Sequence, residues 1–241
     1  MSSQSRKDKK SHYHHPVWEK QEHALEDGFS YYYYVCQECQ EVVYPAPQLQ
    51  RLHDYAKTNL FLFVDEWVLL LIYAGHEYIA GITLFQKMLF LIYMEFIPKY
   101  KIPSENPGFF GYLYGPYSAE IDETIDFLIQ EEYIITKGTK SSSMEHFYLT
   151  DKGKNRAKKV FDRLSKEQQK ALAEFRWFWD TKGPTAIMKN IYANQKYREF
   201  IKRSIILTRL FPGRKLSRKR EIGLISELEQ SENTVEILQE V

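Results

Sequence analysis

Phe110-Gly111-Tyr112-Leu113-Tyr114-Gly115-Pro116-Tyr117-Ser118 runs without a break into residues 119–133. Gly111, Gly115 and Pro116 make the first part a shaped turn. Ser118 then stands where a hydroxyl caps a helix, with Glu120 near the positive end. Ile121, Ile125, Leu128 and Ile129 form one apolar stripe at helical spacing. The other positions are acidic: Glu120, Asp122, Glu123, Asp126, Glu131 and Glu132, with no Lys or Arg among them.

On the C-terminal side, residues 133–136 and 146–149 read as two short strands around a 137–145 loop. Thr150 caps a basic helix that runs to 164. Upstream, 65–74 reads as a buried helix, with Trp67, Leu70, Leu71 and Ala74 at helical spacing. Gly75 and Gly81 bracket a turn, and Thr83 is the expected N-cap of a helix over 84–97 that Pro98 ends. From Met88 to Met94 that helix is apolar all round, which places it at the centre of the core. Met88, Leu89 and Ile92 are expected to pack on Ile121, Ile125 and Leu128. Further helices are expected over 166–179, from Pro184 to about 193, and over 196–210, the last stopped by Pro212-Gly213. The order predicts a mainly α protein with a small β-wing: a winged-helix core with additional C-terminal helices.

The 241 residues suit one sizeable domain or two small ones. Residues 1–16 read as a flexible basic and His-rich lead. Residues 17–58 form a small unit with a strand at 31–35, then Pro45 and Pro47, then a helix over 48–57. Residues 59–211 are the core with its extra helices, and 212–241 a basic then acidic tail. A net charge of +1 gives no global case for nucleic acid, so electrostatic arguments must be local. No apolar run approaches the ~18 residues of a membrane span, and residues 1–10 do not read as a signal peptide. Two cysteines fit a reducing compartment, so the chain is read as cytoplasmic, with no membrane partner.

Cys36-x-x-Cys39 is the one metal-like spacing. Two thiolates supply half of a tetrahedral zinc site, and His12, His14, His15 and His23 are upstream candidates for the rest. A pair of reduced cysteines at a strand end is the competing reading, so a structural zinc is the only cofactor considered. Phosphate-binding loops, dinucleotide fingerprints and HExxH are not found. His53, His76 and His146 stand alone, and the Asp65-Glu66 pair reads as a helix cap. Neither pattern points to an enzyme.

Two basic regions remain. Lys137 and Lys140 lie in the wing loop, followed by Lys152, Lys154, Arg156, Lys158 and Lys159. The second region includes Lys202, Arg203, Arg214, Lys215, Arg218, Lys219 and Arg220. Such clusters neutralise phosphates in a sequence-blind, salt-dependent way. For the wing a solvated face is the simpler account. For the second region DNA or RNA, an acidic protein and a solvated face stay open.

Phe85-Gln86-Lys87-Met88-Leu89-Phe90, the 111–118 turn, a helix ending Glu132-Tyr133-Ile134, and Tyr148-Leu149-Thr150 with Gly153 together resemble the YwgA-type winged-helix family. More distantly they resemble the Panacea antitoxin domain found in phage and plasmid genes. Tyr192, Tyr197, Phe200 and Ser204 are similar to the closing helices of those families, and the resemblance spans about 61–207. It implies a non-enzymatic regulator of the antitoxin or defence-associated kind that acts by binding a protein, and it brings no catalytic residues. The candidate protein-binding residues are Glu120, Glu123, Asp126, Tyr112, Tyr114 and Tyr117. The alternative is a DNA-binding transcription regulator that uses the wing and the basic C-terminal region.

Overall fold

The computed structural model describes residues 17–37, 40–75, 77–139 and 144–201. Among them the chain is a mixture of helices and small antiparallel sheets. The first sheet has the order β1-β2-β3, with β1 Trp18–Ala24, β2 Ser30–Cys36 and β3 Val42–Val43. Alternation along β2 buries Tyr31 and Tyr33, as expected where one sheet face is covered. They meet Leu52 of helix α1 (Ala46–Ala56) and Phe61 in a small aromatic core. The expected proline break before 48 is corrected here. Pro45 is the N-cap of α1 and Pro47 lies in its first turn, where the missing N–H has no partner to lose.

The larger core is built from α2 (Val64–Tyr73), β4 (Tyr78–Ala80), α3 (Ile82–Leu91), α5 (Ala119–Gln130), β7 (Ile134–Lys137), β8 (His146–Leu149), α6 (Asp151–Phe161) and α7 (Lys166–Ala193). Between α3 and α5 lie a π turn (Ile92–Phe96), the short α4 (Ile97–Tyr100) and a hairpin of β5 (Phe110–Tyr112) with β6 (Gly115–Tyr117). A 3₁₀ turn (Gln195–Tyr197) and α8 (Arg198–Ile201) close the described chain. The second sheet has the order β4-β8-β7 and is antiparallel throughout. Met88, Leu89, Ile92, Ile121, Ile125 and Leu128 all lie in one core, as their apolar spacing requires.

Two expectations about α3 are corrected. The helix starts at Ile82, because Gly81 (φ +75°) turns the chain while its N–H donates to the Glu145 carbonyl at 2.7 Å. Thr83 is therefore inside the helix. Pro98 does not end it either. The π turn bonds the Ile97 N–H to the Ile92 carbonyl, five residues back, and Pro98 follows in the first turn of α4. Widening the ladder just before a proline spares the ring its usual clash with a carbonyl. The turn expected between Gly75 and Gly81 also contains β4. The break expected at Pro184 is present, since Gly183 leaves helical geometry at φ +76° inside α7.

Candidate functional site

The site grows from two polar residues in an otherwise apolar helix. Gln86 and Lys87 of α3 are each 2% exposed, and buried polar groups must find partners. The Gln86 amide nitrogen donates to the Ser118 carbonyl at 2.8 Å and to Asp122 Oδ1 at 2.9 Å. Its oxygen accepts from the Ser118 N–H at 3.0 Å. Lys87 Nζ donates to the Pro116 carbonyl at 2.8 Å. Burial brings the Lys87 ammonium down to a pKa of about 7, while Asp122 pulls the other way. Both side chains thus grip the segment that leaves β6 and enters α5.

The same junction is fixed from its other sides. Ser118 Oγ donates to the Pro107 carbonyl and accepts from the Ile121 N–H at 3.2 Å, which makes it the helix cap the sequence suggested. The Tyr117 hydroxyl donates to Asp122 Oδ2 at 2.7 Å. Gly115 has φ +83°, and a Cβ there would sit 2.7 Å from the Tyr192 hydroxyl. This position admits only glycine without strain.

Held in this way, α5 turns Ile121, Thr124, Ile125 and Leu128 inward. Its outer stripe is Glu120, Glu123, Phe127 and Gln130, with Asp126 half-buried at its edge. Phe127 is 52% exposed, set between the carboxylates of this stripe. Tyr112 is exposed and lies 5.2 Å from the Tyr117 ring, whereas Tyr114 packs on the core. Of the three candidate tyrosines, Tyr112 is exposed and Tyr114 and Tyr117 are half-buried. Asp122 is committed to Gln86 and Tyr117 and belongs to the junction.

The wing-side cations are mostly engaged locally. Arg156 pairs with Asp65, Arg163 with Glu66 at 2.7 Å, and Lys158 with Asp162 at 2.5 Å. Lys152 donates to the Glu131 carbonyl and lies 4.2 Å from the centre of the Tyr133 ring. Glu66 also accepts from the Phe63 N–H at 3.0 Å, so the Asp65-Glu66 pair combines capping with ion pairing. Lys137 is exposed, with Nζ 4.9 Å from the Tyr148 ring centre. Lys140, Lys202, Arg203, Arg214, Lys215, Arg218, Lys219 and Arg220 lie outside the described residues.

Cys36 is fully buried at the end of β2. Cys39, His12, His14 and His15 lie outside the described residues, as does His76. Among the described residues no three potential ligands gather around one point. His23 stacks on Tyr31 and Tyr33, with Nε2 2.8 Å from the Tyr33 hydroxyl. His53 stacks on Phe63 and His146 on Tyr78.

Three features escaped the sequence reading as parts of a site. The Gln86–Lys87 grip had a signal, since two polar residues inside an all-apolar helix demand partners. Phe127 had one too, falling off the Ile121-Ile125-Leu128 stripe. Glu105 had none. It is half-buried and accepts from the Val64 N–H at 3.0 Å. Burial, with Glu120, Asp65 and Glu66 nearby, raises its carboxyl to about 7 against the pull of that N–H.

No family model, curated protein or solved structure matches the chain. Among the described residues no helix is long and apolar enough to cross a membrane.

Proposed function

We propose that the protein is a winged-helix regulatory module that works by binding a protein partner through the acidic outer stripe of α5. The order α2–β4–α3, then α5–β7–β8 after an inserted π turn, α4 and β5-β6 hairpin, with β8 central in its sheet, supports the winged-helix reading. In that arrangement α5 occupies the place of the helix that enters a DNA groove. The single observation that carries the proposal is the stripe itself: Phe127 set among Glu120, Glu123 and Asp126 on a helix whose entry is bolted to the core. Phosphates at one charge per ~1.7 Å of duplex repel such a surface. A base-reading helix brings Arg, Lys, Asn or Gln, and here Gln130 is the one such residue. An exposed ring framed by carboxylates suits a basic protein, with the ring as anchor and the acids steering encounter.

A binding role also fits the polar groups of the junction, which are spent on one another and on backbone. The resemblance of residues 61–207 to the YwgA-type family, and more distantly to the Panacea domain, implies a regulator that works by binding and fits the same reading. The DNA-binding alternative rests, within the described residues, on Lys137. A photo-crosslinking residue at position 127, with position 159 as control, tests the reading in cells that make the protein. Protein adducts at 127 that disappear on Glu123→Lys support it, and nucleic-acid adducts at 127 overturn it.

A further inference from the structure

The outer face of the β4-β8-β7 sheet has the opposite character to α5. Alternation along β8 buries Phe147 and Leu149 and leaves His146 and Tyr148 on the other face. Register sets Tyr148 between Tyr78 and Ile135, and His146 between Ala80 and Lys137. The Tyr78 ring stacks on His146 at 4.3 Å and 16°, and its centre is 5.3 Å from that of Tyr148. Lys137 Nζ approaches Tyr148, and Tyr78 and Ile135 are 39% and 44% exposed. Beside this column opens a cavity of about 370 Å³ whose walls include Ile72, Tyr73, Glu77, Tyr148, Leu149 and Lys154. Tyr148 belongs to both column and cavity.

We propose that this face binds single-stranded nucleic acid, with one unpaired base in the cavity beside Tyr148 and the strand crossing the Tyr78–His146 column toward Lys137. Surfaces that take single strands combine aromatic rings, on which bases stack, with cations that follow the phosphates. Both are present on this face. Lys154 stands at the cavity, and Lys137 reaches in from β7 to place its Nζ 4.9 Å from the centre of the Tyr148 ring. Lys154 is held only loosely, 3.7 Å from the exposed Asp151. Glu77 is the carboxylate at the cavity wall, and a carboxylate accepts from an exocyclic base amine such as that of cytosine. Glu145, next in the chain to His146, is buried and does not oppose phosphates on this face. The cavity lies at the small end of the ~300–1,000 Å³ range of ligand sites, a size for a base and not for a helix. Duplex DNA hides its base faces in the stack and offers the column nothing to stack on. The inference is independent of the α5 reading, since the two surfaces share no residue.

The test uses the full chain and fluorescein-labelled 12-mers: dC, dT, the matching RNA of C, and a duplex of mixed sequence. Anisotropy is followed across a salt series. Single strands are expected to bind at least about ten-fold more tightly than the duplex, the scale of a lost base stack. Tyr78→Ala and Tyr148→Leu should each weaken single-strand binding about five-fold or more. Glu77→Ala should lower the ratio of dC to dT affinity, since only cytosine has an exocyclic amine for the carboxylate to accept from. Comparison of the C 12-mers as DNA and RNA identifies which backbone is preferred, and tight binding of either supports the proposal. Tyr78 and Glu77 are exposed, so their variants keep the test alive should Tyr148→Leu fail to fold. No measurable binding to any strand overturns the proposal. So does equal affinity for duplex, or parental affinity in Tyr78→Ala; phosphate attraction to the basic run 214–220 would then be the account.

Discussion

Lys87 Nζ donates to the Pro116 carbonyl at 2.8 Å from inside the core, so that a charge-bearing residue of α3 holds the turn that launches α5. The neighbouring Gln86 holds both the N–H and the carbonyl of Ser118 through its two polar atoms. A long flexible side chain fixed at a backbone carbonyl gives up rotamer freedom and hydration. Those costs are met where the geometry of the turn decides where α5 points.

Lys87 makes stability depend on pH in a defined window. Its folded pKa of about 7 lies below the ordinary 10.5, so between these values the unfolded chain binds the extra proton. Stability therefore rises with pH above about 7 and is lowered below it, on the order of a few kcal/mol over the whole window. Urea unfolding at about pH 7 and pH 9 should show this rise in the parent. In Lys87→Met, which keeps the length without the charge, the rise should vanish. An unchanged slope in the variant would mean that the ammonium is hydrated.

Glu105 acts below that window and with the opposite sign. Its folded pKa of about 7 lies above the ordinary 4.5, so the folded chain holds the extra proton between them. Its contribution is complete below 4.5 and is lost as pH rises toward 7. Glu105→Gln keeps an acceptor for the Val64 N–H and should flatten the stability profile between about pH 4.5 and 7. Parent-like curvature there, followed by urea midpoints, would assign the dependence to other carboxylates.

Gly115 and Tyr192 should be coupled. Gly115→Ala places a methyl group 2.7 Å from the Tyr192 hydroxyl at a positive φ, and should cost ~1–3 kcal/mol. Tyr192→Phe removes the contacting oxygen and leaves the ring carbon 3.2 Å from the new Cβ. In a double-mutant cycle the alanine should cost less in the Tyr192→Phe background than in the parent. Strict additivity would show that backbone strain alone excludes alanine.

The hydrophobic frame should behave as a single core. Ile125 is 1% exposed and lies in the same cluster as Met88, Leu89 and Leu128. Ile125→Ala should destabilise by ~2–5 kcal/mol in thermal or urea unfolding. A parent-like midpoint would remove α5 from the core and with it the fixed presentation of its acids.

What the sequence made legible follows from how local each signal is. The Ile121-Ile125-Leu128 stripe, the Ser118 and Thr150 caps and the Gly183-Pro184 break are decided within a few residues, and all of them stand in the structure. The start of α3 was misplaced because Gly81 is held by the Glu145 carbonyl, 64 positions away in the chain (145 − 81). Strand β4 is three residues long, too short for alternation to show, and exists through its pairing with β8. The candidate acids of α5 were readable as a charged face. The exposed ring between them carried a signal too, since position 127 falls off the Ile121-Ile125-Leu128 stripe. The Tyr78–His146–Tyr148 column joins two distant strands and has no signature in either.

The most direct measurement reverses the charge of α5. Glu120→Lys, Glu123→Lys and Asp126→Lys are combined in one full-length chain, with folding checked by circular dichroism because Glu120 also favours the helix N-terminus. Affinity is then measured for the protein cross-linked at position 127 and for a duplex DNA. The expected result is at least about a ten-fold loss for the protein, the scale of a steering and rim-charge defect compounded over three sites, with duplex affinity unchanged or higher. Retained protein binding together with loss of sequence-specific duplex binding would contradict the account and make α5 a DNA-reading helix.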